Sequence, residues 1–355
     1  GKVPVSMTLS PALMEIAPFI LRYYYENVTE NDEFIGGPSG VQYIQEALYK
    51  PMDYVRWCEM NGEWLYQAGM SVTASSLRWP AQPFFNNGFV KTGVLGTIAW
   101  TNGAYRDAYD WLGMPVICTG GVVSNKKELY NYLSGVSVSE NYPVFTGVYM
   151  VQAGMGGDGY PGINSVVEQL NAEFPGKYVF LKASDLMATS RQYFESVHAP
   201  YKELSIPGRI EAEDFDKGGQ GVGFYDTSKS NQGGKYRTEP GDFVGIGEGG
   251  TGYYVGWTAT GEWLNYSVDV QEAGVYRMDI NYSSTSSKAE VTVMLGDKVL
   301  TTVESQKKSE YSDYSVYVNL SEGKQMLKVL FLDGSMNLDY IDFTRTEYNL
   351  PEIQS

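Results

Sequence analysis

Apolar positions recur along this chain in two different rhythms, and the change between them falls near residue 200. Through the first half, short apolar runs alternate with stretches of helical period. Residues 5–9 read as a strand. Ser10-Pro11 then opens a helix through Leu13, Ile16, Ala17, Ile20 and Leu21, with proline in the first turn, where a missing N–H does no harm. Residues 33–37 form a second strand ending in GGPSG. Residues 53–67 have helical spacing at Val55, Cys58, Leu65 and Tyr66, and Gly69 stops that helix. Further strands are expected at 70–74, 94–100, 115–118, 144–151 and 177–182, and further helices at 126–133, 163–174 and 184–194. Strand–helix alternation predicts an α/β domain with a mostly parallel sheet, open or closed as a distorted barrel. Ligands in such folds sit at the carboxyl ends of strands. Those ends carry Ser39 and Tyr43, Arg78 and Trp79, Trp100 and Asn102, and Gln152 and Asp158.

Proline, glycine and polar residues crowd positions 196–208, and no helical period follows them. Short alternating runs between glycine, asparagine and serine turns predict an all-β sandwich. The expected organisation is an α/β domain over 1–196, a linker over 197–206, a β-domain over 207–346 and a tail over 347–355. The clearest alternation runs from 263 to 268. Leu264, Tyr266 and Val268 share one face and can enter a core, while Trp263, Asn265 and Ser267 share the other. An outward ring beside an amide and a hydroxyl suits a sugar, with its C–H faces and hydroxyl edges. A strand whose tryptophan is covered by a loop fits the same residues.

Composition narrows the chemistry. A length of 355 residues allows two cores. The formal charge of −16 argues against nucleic acid and anionic membranes. No apolar run approaches the roughly 20 residues of a spanning helix, and no signal peptide is visible. Cys58 and Cys118 either pair or stay as buried thiols. The single histidine, His198, lies just before Pro200 in the expected linker, which leaves a Ser-His-Asp triad and histidine-rich zinc sites without their imidazoles. Twenty-nine tyrosines, seven tryptophans and forty glycines suit an extracellular, carbohydrate-facing protein.

The second half carries IPGRIEAEDFD, GQGVGFYDT, NQGGKYR, VGWTATGEWLNYSV and GSMNLDYIDF in that order. With these motifs residues 206–346 resemble family 6 carbohydrate-binding modules. The resemblance implies a β-jelly-roll that binds glycans without cleaving them, often with a structural calcium. It implies that Trp257 is the stacking aromatic of a loop cleft, that Tyr311 faces it where tryptophan is usual, and that Asn337 bonds sugar hydroxyls between them. Trp263 matches the aromatic of an alternative site on the concave face. Independently, Ile210 and Ala212 point inward, which leaves Glu211 and Glu213 together on the other face. Neighbouring carboxylates repel unless compensated, and Ca2+ is a natural hard cation for them. The resemblance adds Asp342 as a third ligand.

PVSMTLSPAL and ENDEFIGGPSGVQYIQEALY make residues 3–195 similar to the C-terminal domain of the GxGYxYP glycoside-hydrolase-like family, common in gut bacteria of the Bacteroides kind. Gly40 and Tyr43 fit its signature, whereas Gln42, Gln45 and Glu46 stand where glycine, tyrosine and proline are expected. Glycoside hydrolysis needs two carboxyl groups roughly 5–10 Å apart. Glu46, after the second strand, and Asp158, in AGMGGDGYPG, are the candidates; a solvated Glu46 and a turn-capping Asp158 are the structural alternative. The glycine-rich loop lacks the lysine of a phosphate cradle. The expected protein is therefore a secreted, periplasmic or surface glycan-processing protein of bacterial type, or a non-catalytic glycan binder with an inactive α/β domain. Its expected partner is an oligo- or polysaccharide.

Overall fold

A computed structural model describes residues 2–44, 51–75, 85–100, 108–137, 142–151, 159–305 and 307–347. The chain divides into two compact units, Gly1–Tyr193 and Phe194–Ser355, a boundary that falls inside the last helix of the first half.

In the first unit the elements run β1 Val5–Leu9, α1 Leu13–Ile16, α2 Pro18–Asn27, β2 Asp32–Gly36, α3 Pro51–Gln67, β3 Val72–Ser75 and α4 Phe85–Val90. They continue with β4 Gly96–Trp100, β5 Ala108–Trp111, β6 Met114–Val123, α5 Lys126–Ser134, β7 Gly147–Met150, α6 Gly159–Glu173 and α7 Ala183–Val197. The sheet order is β1-β2-β3-β4-β6, with β5 and β7 both paired to β6. All pairings are parallel except the β5–β6 hairpin. The expected single helix after β1 is broken in two. Pro18 cannot donate to the preceding turn, and Ala17 leaves helical geometry at φ −154°, ψ 59°.

The strand expected at 177–182 does not form. Its alternating aromatics Tyr178 and Phe180 stack at 6.1 Å and pack on the cluster of Leu129, Leu133, Val166 and Leu170 instead. The Tyr178 hydroxyl donates to Leu133 O at 3.2 Å. The start of α7 is tied to β1 and β2: Glu33 accepts from Ser184 N at 3.0 Å and Ser184 Oγ at 2.6 Å, and Ser6 Oγ accepts from Ala183 N at 2.8 Å. Cys58 and Cys118 are buried thiols on α3 and β6.

The second unit contains β8 Leu204–Ile206, β9 Gly208–Glu211, β10 Phe224–Tyr225, β11 Ile246–Gly249, β12 Gly252–Val255 and β13 Trp263–Val270. After these come β14 Gly274–Ser284, β15 Glu290–Leu295, β16 Lys298–Glu304, β17 Lys308–Leu320, β18 Gly323–Asp333 and β19 Met336–Arg345. One sheet is ordered β10-β13-β18-β15-β16 with β8 on β13. The other is ordered β11-β12-β19-β14-β17 with β9 on β19. Leu264, Tyr266 and Val268 of the first sheet meet Met278, Ile280, Ile341 and Phe343 of the second in one buried core. This is a β-sandwich.

Residues 197–206, expected as a linker, are built into this unit. β8 pairs in parallel with Val268–Val270. His198 Nε2 lies 2.8 Å from the buried Asp216 carboxylate, Lys202 Nζ lies 2.9 Å from Asp214, and the Tyr201 ring meets Tyr236 at 5.8 Å. Polar residues that read as a spacer are thus the partners of buried acids.

Candidate functional site

Alternate glycines decide the shape of one face of the second unit. A Cβ on Gly247 would stand 2.4 Å from Tyr254 Cζ, and one on Gly245 would stand 3.0 Å from Trp257 Cε3. Bare backbone at these positions lets both rings approach β11. Tyr254 and Trp257 stack at 6.0 Å and 16°, an offset pair that forms one aromatic platform. Trp257 remains 48 % exposed, large for a tryptophan. It sits at φ +54°, a conformation that side chains with a Cβ avoid and that tends to persist at working sites.

Neighbouring groups surround this platform. Tyr311 on β17 places its ring 6.0 Å from Tyr254 at 54°. Burial pushes its phenol up to about 12, so it stays a neutral hydroxyl at ordinary pH. Asn337 on β19 has its Nδ2 3.5 Å from Ser283 Oγ, and its Oδ1 is 2.7 Å from where a Cβ of Gly256 would stand. The structure therefore gathers Trp257, Tyr311 and Asn337 around Tyr254. Sequence reasoning left Tyr254 out; the signal was the GxGxG run of 245–249 pairing with GYYV across one hairpin.

Trp263 lies elsewhere, and its expected outer face is covered. Its side chain is completely buried, with Tyr225 stacked at 6.3 Å and Lys328 Nζ 3.5 Å from the ring centroid. Asn265 Nδ2 donates to Val222 O at 2.8 Å, and Ser267 Oγ donates to Asp216 at 2.7 Å. The segment 216–225 thus lies over the face that alternation alone leaves open.

The acidic patch also differs from expectation. Residues 212–214 form a 3-10 turn, which ends the alternation and buries Glu213. Burial pushes Glu213 up to about 7, with Asp214, Glu211 and Asp339 adding repulsion. Burial likewise raises Glu211 and Asp339. Glu213 Oε2 and Asp339 Oδ1 are buried without a hydrogen-bond partner among the described residues. Asp342, expected as the third member, is placed differently from Asp339. It stands opposite Arg209 and Asp279 in the sheet register, whereas Asp339 is the carboxylate that acts on Glu211 and Glu213. Among the described residues no three His, Cys, Asp or Glu side chains already stand close enough to hold an ion.

In the first unit the GGPSG loop is clamped by Asn61 of α3, a residue that sequence reasoning passed over. Its Nδ2 donates to Ser39 O at 3.0 Å, and its Oδ1 accepts from Val41 N at 2.9 Å. Only glycine fits at 40, where φ is +96° and a Cβ would stand 2.1 Å from the Asn61 amide. Ser39 is buried and Tyr43 is exposed. Glu46, Asp158, Arg78, Trp79, Asn102 and Gln152, and the Trp100 side chain, lie outside the described residues. Tyr160, two positions after Asp158, donates its hydroxyl to Met7 Sδ of β1 at 3.0 Å. This contact ties the start of α6 to the first strand.

Residues 1–191 match the family model of the GxGYxYP putative glycoside hydrolase C-terminal domain, and residues 211–345 match that of the family 6 carbohydrate-binding module. No curated protein matches the chain. Among solved structures, the C-terminal family 6 module of the laminarinase LamC from Zobellia galactanivorans is 19% identical, covering 39% of this chain and 98% of its own, with a TM-score of 0.31. The module from Cellvibrio mixtus lichenase 5A, solved with cellotriose, is 21% identical over 40% of this chain and 98% of its own, TM-score 0.30. A putative hydrolase from Bacteroides thetaiotaomicron is 21% identical over 54% of this chain and 39% of its own length, TM-score 0.45.

Proposed function

Because this chain belongs to the GxGYxYP family over residues 1–191 and carries a family 6 carbohydrate-binding module over residues 211–345, we propose that it holds a glycan chain on its second unit and hydrolyses glycosidic bonds with its first. The observation that carries the binding half is the half-exposed Trp257 stacked on Tyr254, with Tyr311 and Asn337 beside it. A pyranose presents axial C–H bonds to such a platform, while the Asn337 amide meets its equatorial hydroxyls. The jelly-roll winding of the sandwich and a secreted, periplasmic or surface location belong to the same reading.

For hydrolysis, Glu46 and Asp158 are the proposed carboxyl pair. They follow β2 and β7 in the sequence, and the Tyr160–Met7 contact supports a curled sheet in which those strand ends converge. The departures at Gln42, Gln45 and Glu46 favour a second reading, in which the first unit is inactive and the chain only binds. Incubating the whole chain with a panel of soluble β-glucans and xylans distinguishes the two. Retention with release of reducing sugar, lost in Glu46→Gln and Asp158→Asn, is the expected result. Retention without release selects the second reading, and no retention removes both.

A structural Ca2+ is part of the proposal. Glu211, Glu213 and Asp339 would hold it, the last two with carboxylate oxygens that have no other partner among the described residues. The folded unit binds the Glu213 proton more tightly than the unfolded chain does. Without a cation, its stability therefore falls as pH rises from about 4.5 to about 7, by on the order of 3 kcal/mol. A cation removes the need for that proton. At pH 8, Ca2+ at a hundredfold excess over its Kd should stabilise by about 2.7 kcal/mol relative to chelated protein, and at pH 5 by little. Asp339→Asn should abolish most of this gain and Asp342→Asn should not. Equal melting of stripped and Ca2+-loaded protein at pH 8 would exclude the site.

A further inference from the structure

The turn that carries Trp257 is tied down by two buried acids that lie outside the aromatic platform. Glu262 is 4% exposed. Its Oε1 accepts from Thr227 N at 2.8 Å and Thr227 Oγ1 at 2.7 Å, and its Oε2 accepts from Ala259 N at 2.7 Å. Asp226, also buried and directly before Thr227, lies beside the Glu262 carboxyl and accepts from Ser228 N at 2.7 Å. Gln220 clasps the Asp226 backbone from both sides, at 2.8 and 3.1 Å.

The pair is linked to the platform by short steps. Ala259 is two residues from Trp257. Thr258, between them, exchanges bonds with the Met336 backbone: its Oγ1 donates to Met336 O at 2.9 Å and accepts from Met336 N at 3.1 Å. Ser335 N donates to Thr258 O at 2.9 Å, and Asn337 follows directly. Whatever moves Ala259 therefore moves Trp257 against Asn337.

Two neighbouring buried carboxyl groups cannot both stay charged without a cation. Among the described residues no lysine, arginine or histidine acts on either carboxyl; each faces the other and neutral Thr227, Ser228 and Ala259 donors. One proton between them resolves the repulsion. We propose that Asp226 and Glu262 share a proton that holds the 257–262 turn, so that the glycan cleft loosens when the proton leaves at alkaline pH. The link to glycan binding rests on the cleft reading above; the link to the turn does not. Burial, and then the Asp226 charge, push Glu262 up to about 7, which places the loss of that proton near neutrality.

Amide hydrogen exchange of the full chain, corrected for the intrinsic effect of pH, tests the pair without any ligand. Exchange at Thr227 and across 258–262 should rise by at least about tenfold between about pH 6 and about pH 8.5. Asp226→Asn keeps all three bonds accepted by Glu262 and adds an amide donor, so its exchange should stay at the low-pH level. Should that variant fold poorly, Asp226→Ser, which also removes one of the two acids and leaves Glu262 its three donors, should be flat in the same way. Wild-type exchange that does not change, or variants that follow the wild type, would overturn the proposal. Cellotriose affinity measured in parallel should fall over the same range in the wild type only. If exchange behaves as expected and affinity does not move, the proton pair stands and the cleft assignment falls.

Discussion

Replacing Trp263 by alanine should destabilise the fold by about 3–5 kcal/mol, the range for truncating a large buried aromatic. The ring is completely enclosed, so its removal leaves a cavity rather than a surface depression. The Tyr225 ring loses its stacking partner, and the fully buried Lys328 ammonium loses the π face 3.5 Å beneath it. Thermal or denaturant unfolding should show a drop on the order of 10 °C, with any loss of glycan retention following from unfolding. A variant that melts like the wild type yet fails to bind would instead make Trp263 a ligand contact.

The same residue shows where sequence reasoning stops. Alternation placed Trp263, Asn265 and Ser267 correctly on the face opposite Leu264, Tyr266 and Val268. It could not show that the segment 216–225 folds over that face, because period 2 reports the side of a strand and not what lies beyond it. The break at Pro18 was written in the chain, since proline at that position removes a donor, but helical spacing on both sides hid it. The aromatics of 177–182 alternate as in a strand, yet they pack against α5 and α6 from irregular backbone.

The acid patch was half legible. Glu211 and Glu213 are adjacent in sequence terms, while the choice between Asp339 and Asp342 depends on sheet register, which the sequence does not display. Polar residues at 197–206 read as solvated because their partners, Asp214 and Asp216, lie on a different segment. Motifs pointed to Trp257, Tyr311 and Asn337, which the fold gathers around Tyr254, and not to Tyr254 itself, which sits inside an ordinary strand pattern. The glycines that make room for it belong to the neighbouring strand.

The second large effect concerns Trp257. Its exposed ring contributes little to the core, and alanine keeps the Cβ and with it the cost of φ +54°, so Trp257→Ala should lower the melting temperature only by the lost packing on Tyr254. Truncating a central aromatic anchor commonly costs about 2 kcal/mol or more of binding, which is at least tenfold in Kd. Asn337→Ala should also weaken binding, through the loss of a directed amide rather than of area. The decisive measurement is calorimetric titration of soluble oligosaccharides, cellotriose among them, into the full chain and its Trp257→Ala variant under identical conditions. The account requires binding by the wild type and at least a tenfold loss in a variant that melts normally. Equal affinity of the two proteins would contradict it.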